Sequence, residues 1–125
     1  MQDAEERFFD AARAFQKVDE AARSHEEDVK EDAFKRVIID IDAAIPGLED
    51  LFLARAKLLK AHAIWWIYWL RLKTNTPKFF DPSMPKDPLL VESHALAIEG
   101  RKILKKLKAP KADLKYADDL VAKSE

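Results

Sequence analysis

Cysteine is absent from this 125-residue chain, which excludes a disulfide framework, a thiolate metal site and a cysteine nucleophile. Such a composition suits reducing cytosol, and the opening Met1–Glu6 stretch has neither the basic patch nor the apolar core of a signal peptide. A cytoplasmic location is therefore expected. Gly47 and Gly100 are the only glycines, too few for the glycine-rich loops that cradle phosphates. Asparagine occurs once and glutamine twice while charged residues make up 36%, the compositional drift of proteins from hot environments. A continuous membrane span is also missing. The best twenty-residue window, 51–70, contains Arg55, Lys57, Lys60 and His62, and each cation near a bilayer centre costs roughly 2.5 to 3.5 kcal/mol. Finally, no stretch alternates apolar and polar residues as a strand does, so the chain reads as all-α.

Helical periodicity is written along most of the sequence. Phe8, Ala11, Phe15, Val18/Asp19 and Ala22 recur at three- and four-residue spacing and define a first helix over about 2–22. Ser24 followed by Glu27 has the form of a capping box, placing a second helix over 25–44 with Phe34, Val37, Ile38 and Ile41 on its apolar face. It must end before Pro46, because the residue before proline is pushed out of helical geometry. A proline is well tolerated in a first turn, so a third helix is expected over 46–73. Its last turns carry Trp65, Trp66, Tyr68 and Trp69, and it is apolar on nearly every side, so several neighbours must cover it. Segment 74–87 is rich in proline and has no helical period, which makes it the one long loop; Phe79, Phe80 and Met84 within it are expected to fold back on apolar surface. Asp87 and Pro88 start a fourth helix to 108 with Gly100 in its inner face, implying a close helix contact. Pro110 ends it, and a fifth helix follows over 111–122 before a frayed end. Four to five antiparallel helices in a single domain, 1–125, are the expected architecture.

Charge is distributed unevenly. Residues 1–50 hold fifteen acids against seven Lys/Arg, net minus eight, and residues 51–125 hold eight against fifteen, net plus seven. The asymmetry can dock one half on the other, or pair a homo-oligomer.

The stretch Ala33 to Leu59 around Pro46, with Phe52-Leu53-Ala54-Arg55-Ala56, resembles a tetratricopeptide-repeat junction. Ala97 to Pro110 followed by Ala112, Tyr116 and Ala117 is similar to the same junction again. The prolines are sixty-four residues apart against about thirty-four per repeat, so the long helix and the loop must absorb the excess. The resemblance implies a scaffold holding a peptide or protein partner in a concave groove, without catalysis. The terminal-carboxylate clamp of some members is not implied, since Ala54 stands where its asparagine would. A generic helical bundle is the alternative architecture.

Trp65 and Trp69 lie one helical turn apart, able to stack on an apolar side chain or flat ligand, with Tyr68 and Arg71 to orient it and Phe79 and Phe80 as a lid or wall. Core packing is the competing reading of the same aromatics. Arg101, Lys102, Lys105, Lys106 and Lys108, extended by Lys111, form a basic run. No aromatic side chain interleaves it, which argues against single-stranded nucleic acid and for a solvated helix end. His25, His62 and His94 sit on separate helices without a Glu-x-x-His pattern, so no metal, cofactor or enzymatic activity is expected. The leading expectation is an adaptor binding a peptide or protein segment in a groove near helices two, three and four. A carrier or sensor enclosing a small apolar ligand, and a self-assembling subunit, are the alternatives.

Overall fold

The structure, a computed structural model, describes residues 3–24, 29–74 and 87–125. Within them the chain forms α1 (Ala4–Ser24), α2 (Glu31–Ala44), α3 (Asp50–Thr74), α4 (Pro88–Leu107) and α5 (Lys111–Lys123). The fold is all-α, with no strand among the described residues. The expected loop at 74–87, with Phe79, Phe80 and Met84, lies outside the described residues except at its ends.

Helix boundaries follow local chemistry. Asp3 accepts from the Glu6 N–H through Oδ1 at 2.8 Å, satisfying one of the orphan donors at the start of α1. That helix continues to Ser24, whose hydroxyl donates to the Ala21 carbonyl. Ser24 is the last residue of α1. Glu27, the other half of the expected capping box, lies outside the described residues. Helix α2 begins at Glu31, not residue 25, because Lys30 is extended (φ −98°, ψ 153°) and no side chain caps the turn. Glu31 and Asp32 in the first turn supply the favourable interaction with the helix dipole.

Pro46 does not open α3. It sits in a 3-10 turn over Ile45–Gly47, closed by the Leu48 N–H on the Ile45 carbonyl at 3.0 Å, and Leu48 is extended and buried. Burying Leu48 redirects the chain, so α3 starts at Asp50. The start of α4 matches expectation, with Asp87 accepting from the Leu89 N–H at 2.8 Å. Its C-terminal cap, Lys108, is left-handed (φ 56°), and the Ala109 N–H returns to the Leu104 carbonyl. Beyond α5 the end is docked, not frayed: Ser124 is buried, donates to the Leu120 carbonyl at 2.8 Å and lies 3.0 Å from His94 Nδ1.

Consecutive helices pack against one another, and α3 also touches α1 and α5. Pairs Glu31–Arg71 and Asp42–Lys60 run α2 antiparallel to α3. Lys57–Glu99 and Ser93 to Ala61 do the same for α3 and α4. Contacts of Asp19 with Trp66, and of Arg55 with Asp113 and His62 with Tyr116, place α1, α3 and α5 parallel along one side.

Two apolar clusters meet at α3. One joins Phe8, Phe15, Phe34, Val37, Ile41 and Ile67 from α1, α2 and α3. The other joins Ala54, Leu58, Ala97, Leu104, Leu120 and Val121 from α3, α4 and α5. The all-round apolarity of α3 thus serves to cover both flanks. Ala54, Ala56, Ala61 and Ala63 are fully buried, and their small side chains permit close approach of the neighbouring backbones. Gly100 is a point of close contact between α3 and α4: a β-carbon there would lie 2.9 Å from Leu58 Cγ and Cδ2 and 3.2 Å from the Ala54 carbonyl oxygen. Gly100→Ala should lower stability by about 1–3 kcal/mol through overpacking, although alanine is the better helix former; a fall in the urea midpoint with unchanged slope is the expected readout.

Candidate functional site

Asp19 decides the character of the face shared by α1, α3 and α5. The α1 stripe that buries Phe8, Phe15 and Ala22 also buries this carboxylate, at 3% exposure. An unpaired buried carboxylate would be costly. Oδ1 accepts from Trp66 Nε1 at 2.8 Å, and Oδ2 accepts from Arg23 Nε at 2.9 Å, with the second Arg23 nitrogen also in contact. Trp66 is held in turn by stacking on Phe34, with ring centroids 5.8 Å apart. It belongs to the core, which is where its indole finds both apolar cover and a hydrogen-bond acceptor.

His62, 7% exposed, packs against Phe15, Trp65 and Tyr116. Its Nδ1 lies 2.8 Å from the Tyr116 hydroxyl and its Nε2 lies 3.9 Å from Asp19 Oδ1. The nearby carboxylate favours a proton on Nε2, leaving Nδ1 to accept from the Tyr116 O–H. Burial holds the His62 pKa down to about 4, against the upward pull of Asp19 and with the downward push of Lys123 and Arg23. Burial, and then Asp19, raise the Tyr116 pKa. Near neutral pH the imidazole is uncharged and the phenol keeps its proton. The cluster is thus a hydrogen-bond network between α1, α3 and α5.

Among the described residues, two cavities open on this face. One, about 300 Å³, lies among Asp19, Arg23, His62, Trp65, Trp66, Tyr116, Asp119 and Lys123. The other, about 340 Å³, is bounded by Phe8, Phe15, Leu59, Arg55 and Asp113. Asp19 and Tyr116 line both, so the two cavities adjoin along α3, end to end as a trough with that pair between them. Arg55 and Asp113 tie α3 to α5 beside the second cavity with paired hydrogen bonds at 2.9 and 3.1 Å.

Of the residues singled out in the sequence, Trp65, Tyr68 and Trp69 lie in contact along α3. Trp65 lines the trough, 5.8 Å from Trp69 between ring centroids. Trp69 is 48% exposed, and Tyr68 meets it edge-on at 6.2 Å. Arg71 turns instead to α2, where it donates to Glu31 at 2.9 Å. Phe79 and Phe80 lie outside the described residues. Among the described residues the α3–α4 seam is filled by Leu58, Ala97 and Leu104, and the two cavities lie between α1, α3 and α5. In the basic run, Lys102, Lys105, Lys106, Lys108 and Lys111 are exposed while half-buried Arg101 reaches Asp118 at 3.6 Å. No group of three metal-ligating side chains is found among the described residues, nor any helix long and apolar enough to cross a membrane.

Asp19, Arg23 and Tyr116 were not selected from sequence as site residues. The available signal was a carboxylate on the apolar stripe of α1 with an arginine one turn later.

No protein-family model, curated protein or solved structure matches this chain.

Replacing Asp19 by alanine should cost about 2 kcal/mol, since the hydrogen bonds that Trp66 and Arg23 donate to this carboxylate are lost; urea unfolding measures the loss. The pH dependence has a definite sign. In the unfolded chain His62 titrates near 6.5, in the folded one near 4, so between these values the unfolded state binds more protons. Its contribution, roughly 3 kcal/mol, is complete above pH 6.5 and is lost as pH falls toward 4. Unfolding curves of the protein and of His62→Gln across that window should differ in slope, the substituted chain lacking this component.

Proposed function

We propose that the chain is a non-enzymatic helical adaptor that holds a peptide or protein segment in the trough of α1, α3 and α5. The carrying observation is that two cavities on one face share Asp19 and Tyr116 and open to solvent, with Trp65 in the wall and Trp69 exposed one turn beyond. A trough of that kind admits an extended or helical segment along its length, whereas a carrier of a small apolar ligand needs an enclosed cavity. Half-exposed aromatics beside polar groups are the usual anchors of such interfaces. The tetratricopeptide resemblance supports the same reading. In the proposed array α1/α2 and α3/α4 are successive pairs and α5 opens the next, so that the parallel α1, α3 and α5 are the groove-lining helices. Prolines at both junctions, Pro46 and Pro110, agree with that division.

Selection of a random peptide library on the immobilised protein tests the proposal. Selected peptides should bind about thirty-fold more weakly to Trp69→Ala, the loss of an aromatic anchor being about 2 kcal/mol. Reversing the charge of Lys105 and Lys106, outside the trough, should leave binding unchanged. Peptides that bind Trp69→Ala as tightly as the parent, or that depend on Lys105 and Lys106 instead, would overturn it.

A further inference from the structure

The cavity at the Trp65 end of the trough already holds a cation from its own chain. Lys123 Nζ sits 5.1 Å from the centroid of the Trp65 ring, within the range in which an ammonium is attracted by an indole face. Trp66 stands nearly perpendicular to Trp65, at 76° with centroids 5.1 Å apart, and Trp69 is tilted against it by 58°. Trp65 and Trp66 both line the cavity, and it is the Trp65 ring that the ammonium meets, since Trp66 is stacked on Phe34.

The charges around the cavity are selective as well. Two carboxylates, Asp19 and Asp119, and two cations, Arg23 and Lys123, line it. Arg23 is committed to Asp19. Asp119 lies one turn before Lys123 and makes no ion pair among the described residues. Withdrawing Lys123 therefore leaves aromatic faces and one uncompensated carboxylate, an environment that takes up a cation and repels an anion. Lys123 is exposed, on a flexible stem near the end of α5, so it can swing into solvent without disturbing the core.

We propose that this cavity is a cation site, which receives the lysine or arginine side chain of the segment bound in the trough, and that Lys123 occupies it when the trough is empty. The inference rests on the adaptor reading and specifies which side chain that reading would recognise. A cavity of about 300 Å³ accommodates such a head group with part of its stem. The bound cation would meet the indole of Trp65 and the Asp119 carboxylate, and binding would be a competition with the protein's own lysine.

Tetramethylammonium chloride, titrated at constant ionic strength against sodium chloride, provides a probe that contains nothing but the cation. The indole N–H signals in NMR spectra report its arrival. Lys123→Ala should bind it saturably and at least about three-fold more tightly than the parent, the gain expected from removing a competing exposed cation–π contact. Adding Asp119→Asn to Lys123→Ala should reverse most of the gain. Equal affinity in the parent and Lys123→Ala, or shifts no larger than sodium produces, would overturn the proposal.

Peptides selected on the protein separate this failure from failure of the groove. Dependence on a lysine or arginine, strengthened by Lys123→Ala, supports the cation site. Binding that requires Trp69 but tolerates glutamine at every basic position overturns the cation site and leaves the groove standing. Absence of any Trp69-dependent peptide overturns both.

Discussion

A helix that is apolar around its circumference cannot stand at a surface, and the rest of this fold answers that constraint. Helix α3 supplies Leu59, Ala63 and Ile67 to one apolar cluster and Ala54, Leu58 and Ala61 to the other. Covering both flanks requires a helix pair on one side and another on the other, joined through α3 itself. Neither cluster is complete without it. The small residues along its length and Gly100 opposite bring the helices close, and the larger residues fill the remaining space. Because α2 and α4 take the flanks, α1 and α5 reach α3 only along its third side, and the trough is what remains between them.

Along that third side the packing is polar where the flanks are apolar. Asp19 is buried because Trp66 and Arg23 satisfy it, and His62 is buried neutral because Tyr116 gives its ring a partner. One carboxylate thus positions a tryptophan from the core, an arginine at the surface and, at longer range, the imidazole between them. Arg55 and Asp113 repeat the device farther along, fixing α5 against α3. These polar ties do not add greatly to stability, since much of the electrostatic gain is offset by desolvation. Beside the apolar contacts of α1 and α5 with α3, they fix the relative register of the three helices, and so the shape of the trough.

The helices were legible in the sequence because their signals are local. Apolar spacing located all five, Asp87 and Pro88 marked the start of α4, and Gly100 announced a close contact. Where the reading slipped, a local signal had two meanings. Pro46 can open a helix or sit in the tight turn before it, and the burial of Leu48, a tertiary event, decides between them. The candidate site was only partly legible. Trp65 and Trp69 were evident as a pair. Arg71 shares their helix but faces Glu31 on α2, which depends on the pairing of helices forty residues apart in sequence. Asp19 and Tyr116 come together only because α1 and α5 flank α3, and no spacing within one segment encodes that.

The three tryptophans occupy three different settings in a chain with no others. Trp66 is stacked on Phe34 and bonded to Asp19, Trp65 lies beneath Lys123, and Trp69 is half open to water. Their emission therefore carries its own internal reference. Loss of the core moves the Trp66 component to the red, while a molecule entering the trough alters Trp65 and shields Trp69 from an aqueous quencher. Unfolding and the proposed occupancy would leave different spectral marks on the unlabelled protein, so the tryptophans that line the trough are also a means of testing whether it fills.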